Sequence, residues 1–172
     1  LSDSDWVQQA MRAHEGPLLR YAASITGDLE RARDVVQEVF LKLYQADRAQ
    51  VAPHLAPWLY TVARNRALTM RKKEARMTPL LDGQANAIAS TQAGPGELAE
   101  ASEQRLLLAG ALRRLPEQQQ EACRLKFQNG LSYREISQIM GVSLGTVSNL
   151  ITKALDAVRQ ELRAGFDPAR EV

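Results

Sequence analysis

The chain has 172 residues, a hydrophobic share of 45% and a formal net charge of +2, which permits one domain or two small ones of ordinary soluble composition. Its single cysteine, Cys123, excludes an intrachain disulfide framework. With no apolar run of bilayer length and no signal-peptide pattern, the expected compartment is the reducing cytoplasm. The small total charge conceals an uneven distribution: −2 over 1–57, +5 over 58–77, −4 over 78–104 and +3 over 105–172. A basic block and an acidic spacer therefore stand next to each other.

From Trp6 to Met77 the pattern is helical, with little of the alternation that marks strands. A first helix is predicted from near Trp6 through Tyr21 to Ile25, bent or interrupted at Gly16-Pro17. Thr26-Gly27 ends it, and Asp28 caps a second helix whose apolar stripe is Val35, Val36, Val39, Phe40, Leu43 and Tyr44. Asp47 to Pro57, with two prolines, reads as a loop. Trp58 to Lys73 reads as a helix with Leu59, Val62, Ala63 and Leu68 inward. Residues 78–101 are punctuated by Pro79, Gly83, Pro95 and Gly96 and lack Lys and Arg, the composition of a flexible linker. Helical spacing resumes from Arg105 to Leu115. Pro116 fits the first position of a further helix through Cys123 and Phe127 to Asn129-Gly130. The expected fold is all-α: two small helical domains, 1–77 and 102–172, joined by the acidic linker 78–101.

The segment SYREISQIMGVSLGTVSNLITKAL, Ser132 to Leu155, carries the clearest functional pattern. Ser132 and Glu135 form a capping box, Ile136, Ile139 and Met140 an apolar face, and Gly141 a stop. Ser143 caps a second helix in which Val147, Ile151, Ala154, Leu155, Val158 and Leu162 fall on the buried side. Ser148, Asn149, Thr152 and Lys153 then face outward. In a helix-turn-helix the front of the second helix enters the major groove, so these four are the expected base and phosphate contacts. A helical hairpin without DNA-binding function needs the same apolar spacing and turn glycine, but not hydroxyl and amide residues at the front of its second helix.

No catalytic constellation is present in the sequence. His14 and His54 stand apart, no Cys-x-x-Cys or His-Glu-x-x-His occurs, and there is neither a phosphate-binding glycine loop nor a nucleophile elbow. No metal, cofactor or small-molecule substrate is therefore expected. The second pattern is the basic block, in which Trp58, Tyr60, Arg64, Asn65, Arg66, Arg71, Lys72, Lys73 and Arg76 mix aromatics, an amide and cations. That mixture suits phosphates and exposed bases. A solvated basic face accounts for the cations equally well, and a core role accounts for Trp58 and Tyr60.

Together these residues resemble a bacterial sigma factor of the extracytoplasmic-function (ECF) class, the small two-domain factors that direct RNA polymerase to promoters. ARDVVQEVFLKLY resembles the family's helix that docks on the polymerase clamp, and PWLYTVARNRAL the segment that melts and reads the −10 element. LRRLPEQQQEACRLKFQNGLSYREISQIMGVSLGTV resembles the −35-reading domain. The resemblance implies that Asp34, Gln37, Glu38 and Leu41 bind core polymerase. Trp58, Tyr60, Arg64, Asn65, Arg66, Arg71 and Lys72 would bind and melt the −10 element, with Asn65 beside an extruded base. Tyr133, Arg134, Ser148, Asn149, Thr152 and Lys153 would face the −35 element. A solvated helix face is the alternative for the clamp residues.

Three departures from the family pattern concern specificity. Many members carry arginines at the positions of Ser148 and Leu150, and an aspartate at that of Thr69, so fewer Arg–guanine contacts, each worth about 1–3 kcal/mol, are expected here. The 24 linker residues reach at most about 80 Å, enough for promoter elements two helical turns, near 70 Å, apart. The resemblance also implies an anti-sigma partner, often membrane-anchored, which would hold the protein at the inner membrane face; Leu80, Leu81 and Leu98 are expected to contribute to its docking or to pack on the chain itself. The competing expectation is a one-component helix-turn-helix regulator that binds operator DNA without polymerase. It leaves the clamp-like helix and the basic block unexplained.

Overall fold

The computed structural model describes residues 2–77 and 98–165. The described residues are helical, with no strand among them. Two compact units divide the chain. The first holds α1 (Asp3–Thr26), α2 (Leu29–Gln45), the single turn α3 (Arg48–Val51) followed by a 3-10 turn (Ala52–His54), and α4 (Leu55–Met77). The second holds α5 (Leu98–Arg114), α6 (Glu117–Cys123) running into a π turn (Arg124–Gln128), the larger part of α7 (Tyr133–Met140), and α8 (Leu144–Gly165).

In the first unit α1, α2 and α4 pack pairwise into a three-helix bundle. Leu18, Tyr21, Val35, Val39, Leu43 and Leu59 are its largest fully buried side chains. Each such burial contributes about 1.5–3 kcal/mol. Ala22, Ala32, Ala63 and Ala67 are equally buried and let the helices approach closely. Ser2 and Asp5 close a capping box at the start of α1. Gly27 ends that helix at φ 71°, a left-handed value that glycine adopts without the Cβ clash. The Asp28 carboxylate then accepts from the Glu30 N–H at 2.8 Å to open α2.

Three sequence expectations change here. α1 runs unbroken through Gly16-Pro17. Pro17 removes only one helical donor, and the buried Leu18, Tyr21 and Ala22 just beyond it offset that loss. The expected loop from Asp47 to Pro57 is largely helical: Asp47 accepts from Ala49 N–H at 2.9 Å, Val51 is buried, and Pro57 falls in the first turn of α4, where its missing N–H costs nothing. Tyr44, expected in the apolar stripe of α2, is 67% exposed. It sits one position past the buried Leu43, beyond the edge of the stripe.

In the second unit α5 and α6 both pack on α8. Ala111, Leu115, Cys123, Ala154 and Val158 form a core cluster, with Leu112, Ala157 and Leu162 packed against it. Pro116 precedes the first turn of α6 as its N-cap rather than its first residue. The Gln120 amide donates to the Leu115 and Arg113 carbonyls at 2.8 and 3.0 Å, which closes the α5–α6 turn. Cys123 is buried, and desolvation raises its thiol pKa against the opposing pull of Arg124. α5 opens at Leu98, so residues 98–101, expected in the linker, are helical; 78–97, with Leu80 and Leu81, lie outside the described residues.

The capping box that opens α7 is formed on both sides, with Glu135 N–H to Ser132 Oγ at 3.2 Å and Ser132 N–H to Glu135 Oε2 at 2.8 Å. Replacing Ser132 by Ala should lower unfolding free energy by about 1 kcal/mol. Urea denaturation should show a lower midpoint at unchanged slope; an unmoved midpoint would mean the cap is energetically idle.

Candidate nucleic-acid interface

The α7–turn–α8 geometry is that of a helix-turn-helix. Gly141 ends α7 at φ 67°, and Gly141 and Val142 both donate to the Ser137 carbonyl, at 3.0 and 3.2 Å. The Ser137 hydroxyl returns a hydrogen bond to the Val142 carbonyl. Ser143 then caps α8, accepting from Thr146 N–H at 3.1 Å. Val147, Ile151, Ala154 and Val158 are buried along one face of α8, and this fixes the other face. Ser148, Asn149, Thr152 and Lys153 are all exposed on it, as expected, beside Gly145 and Asp156. Leu150 is half-buried, off that face. At the start of α7, Tyr133 and Arg134 are exposed, and Lys126 Nζ lies 5.2 Å from the centre of the Tyr133 ring. The free N–H groups at the start of α8 add a partial positive charge that favours phosphate.

On α4 the candidate residues separate by helical phase. Trp58, Asn65, Thr69, Lys72 and Arg76 recur at intervals of seven, four, three and four, one stripe about 27 Å long. Asn65, Thr69, Lys72 and Arg76 are exposed and Trp58 half-buried. Tyr60 lies about 200° round the helix from Trp58. It is 3% exposed, packed edge-to-face on Tyr21 with ring centres 5.2 Å apart. Desolvation raises its phenol pKa to about 12 against the pull of Arg20. A ring so enclosed belongs to the core, and the expectation of a DNA contact at Tyr60 is corrected. Arg64 and Arg71 share a separate flank of α4 and are half-buried.

On α2, Asp34, Gln37, Leu41 and Tyr44 are all exposed and fall on one outward stripe. Leu41 is 62% exposed, a large apolar side chain left in water. Glu38 stands off this stripe, its Oε2 2.6 Å from Arg66 Nε. The Nε–H is shielded from solvent and not aligned on an acceptor, so the contact is one of charge more than of hydrogen bonding. Two residues expected on different surfaces thus meet each other.

Residues 10–77 match the family model for Sigma-70 region 2 and residues 105–158 that for Sigma-70, region 4. The ECF RNA polymerase sigma factor SigL of Mycobacterium tuberculosis is 32% identical over 152 residues, which cover 87% of this chain and 85% of SigL. This chain belongs to the ECF sigma factors. EcfG of Rhodopseudomonas palustris is 34% identical over 140 residues, 80% of this chain and 75% of EcfG. The sigma-E factor of Escherichia coli is also 34% identical over 140 residues, covering 76% and 73%. A solved sigma factor, RpoE of Bartonella quintana in complex with the anti-sigma factor NepR, shares the fold at a TM-score of 0.67 and 23% identity, over 91% of this chain and 96% of that one.

As a sigma factor the chain carries its region 2 match on α1 to α4 and its region 4 match on α5 to α8. Among the described residues no group of His, Cys, Asp and Glu is arranged to hold a metal ion, and no helix is long and apolar enough to cross a membrane. Two residues escaped the sequence reading. Tyr44 extends the outward stripe of α2, ten residues after Asp34. Lys126 reaches Tyr133 from the π turn, whose extra residue the sequence does not announce: the Asn129 N–H bonds back five residues to the Arg124 carbonyl at 3.2 Å.

Lys126 adds a cation beside Tyr133, off the outward face of α8. Replacing it by Ala should weaken DNA binding by the holoenzyme uniformly across −35 sequences and reduce the salt slope of log K by about one. A change in sequence preference at constant slope would place Lys126 on a base instead.

Proposed function

We propose that this chain directs promoter-specific initiation as a sigma subunit of bacterial RNA polymerase, active in the holoenzyme and without catalysis or cofactor of its own. The observation that carries the reading is the order of region 2 and region 4 along one chain, each presenting an exposed polar stripe on a helix fixed from behind by buried side chains. An operator-binding regulator requires only the second.

In this reading Asp34, Gln37, Leu41 and Tyr44 dock α2 on core polymerase. The apolar Leu41 and the aromatic Tyr44 suit the buried centre of such an interface, where a few side chains carry most of the binding energy. Asn65 reads an extruded −10 base, beside Trp58 as a stacking surface. Lys72 and Arg76 hold the strand phosphates along the same stripe, with Arg64 and Arg71 on the flank. Extruding a base costs a few kcal/mol, so the pocket and the phosphate contacts have to act together. Tyr133, Arg134, Ser148, Asn149, Thr152 and Lys153 engage the −35 element, and 1–77, 78–97 and 98–172 serve as −10 domain, tether and −35 domain. Regulation by an anti-sigma factor is part of the proposal; RpoE of Bartonella quintana is bound to one in its solved structure. A membrane-anchored partner would hold the factor at the inner membrane face.

The deciding experiment adds the purified chain to sigma-free bacterial core and selects initiating sequences from a promoter library. Specific initiation is expected; core association without it, or no association, ends the sigma reading. Replacing Leu41 and Tyr44 together by Ala should cost about 2 kcal/mol or more of core affinity. Asn65→Ala should leave core affinity intact and slow promoter opening at the −10 element, followed by permanganate reactivity of unpaired thymines. Equal loss of core binding in both variants would contradict the division of labour between α2 and α4.

A further inference from the structure

Two ion pairs join α2 to α4, with opposite polarity. Glu38 on α2 meets Arg66 on α4, and Arg31 on α2 meets Glu74 on α4. The paired positions are seven residues apart on α2 and eight on α4, two turns in either helix, and their order is reversed. The helices therefore run antiparallel with both pairs on the facing side. Arg31 also lies 3.6 Å from Asp28, the N-cap of α2, which ties Glu74 to the start of that helix.

The alternation opposes slippage. A shift of α2 by two turns in one direction would set Glu38 against Glu74, replacing an attraction by a repulsion, and a shift of one turn would leave all four charges unmatched. Glu38 and Arg66 also each stand about 80° round their helix from the middle of its outward stripe. The Arg66 Nε that faces Glu38 is shielded from solvent. We infer that Glu38 and Arg66 are a positioning pair that sets the register of the polymerase-docking helix against the −10-reading helix, in place of the separate clamp and strand contacts that the family resemblance implies for them.

Its functional arm rests on the sigma reading; its structural arm does not. The test is a charge reversal in the full chain, with E38R, R66E and E38R/R66E measured for melting temperature, core affinity and opening rate in the holoenzyme. Each single variant should lower the melting temperature and slow opening about tenfold, and the double variant should recover most of both. The inference is overturned if the R66E opening defect persists in the double variant, or if E38R loses core affinity that R66E does not return. Should a reversal fail to fold, the neutral set E38Q, R66Q and E38Q/R66Q decides. A register pair gives a double variant no worse than either single, whereas independent contacts give multiplied defects. The salt slope of DNA binding separates the roles again: R66Q leaves it unchanged if Arg66 positions, and lowers it by about one if Arg66 holds a phosphate. If the wild-type chain opens no promoter with core, the sigma reading falls, while the melting-temperature cycle still decides the pair.

Discussion

The rotational setting of α4 in its bundle governs what the first domain offers to other molecules. Leu59, Tyr60, Ala63 and Ala67 are buried, and with an α-helical period that leaves one outward stripe open, from Trp58 to Arg76. Ala63 and Ala67 contribute no bulk and Tyr60 a great deal, so the helix is held close along one part of its length and wedged by an aromatic pair along another. A rotation of even one residue, about 100°, would carry Asn65 off the outward stripe onto a half-buried flank and, in one sense of turn, bring Tyr60 toward water. The enclosed Tyr21–Tyr60 contact makes that rotation costly, and in this sense a core interaction holds the outward stripe of α4 in place.

The second domain solves the same problem with caps as well as packing. α7 is eight residues long, too short to persist by propensity alone. Its reciprocal capping box, its left-handed Gly141 and the hydrogen bonds converging on Ser137 fix the angle at which α8 leaves the turn. α8 is braced from behind by the core cluster and by Arg114, whose guanidinium lies 2.7 Å from Glu161. That exposed pair adds little to stability. The orientation of the recognition helix therefore rests mainly on Ala154, Val158 and their apolar neighbours.

Much of this was legible in the sequence where the cause is local. Asp28, Ser132, Ser143, Gly27 and Gly141 act within a few residues of their own position, and their roles follow from residue type and spacing. The outward face of α8 was legible too, because Val147, Ile151, Ala154 and Val158 mark its opposite side. What failed was decided by tertiary context. Tyr44 follows the apolar Leu43, and only the packing of α2 places it in water. The prolines from Asp47 to Pro57 suggest a loop until the buried Val51 and the Asp47 cap show how a short helix satisfies its backbone. Phase sets Tyr60 about 140° round the helix from Asn65, whereas composition and family motif, neither of which carries phase, place it with the DNA-facing residues. Glu38 and Arg66 lie 28 positions apart, and no local signal connects them.

The front of the outward face of α8, from Ser148 to Lys153, bears one cation, Lys153, among Ser148, Asn149 and Thr152, while Leu150 is half-buried and turned from it. Ser148 is therefore placed where the proposed base reading would use it, and Leu150 answers to packing. Amide and hydroxyl side chains satisfy several base edges, and Asn has its best geometry with adenine, whereas Arg is committed to guanine. A face of this composition gains less affinity per contact from bases. On the proposed reading it depends correspondingly more on sequence-independent attraction from Arg134, Lys126 and the start of α8. On the proposed reading, discrimination between promoters shifts toward the −10 element, where an extruded base has to fit beside Asn65 and charge alone does not suffice.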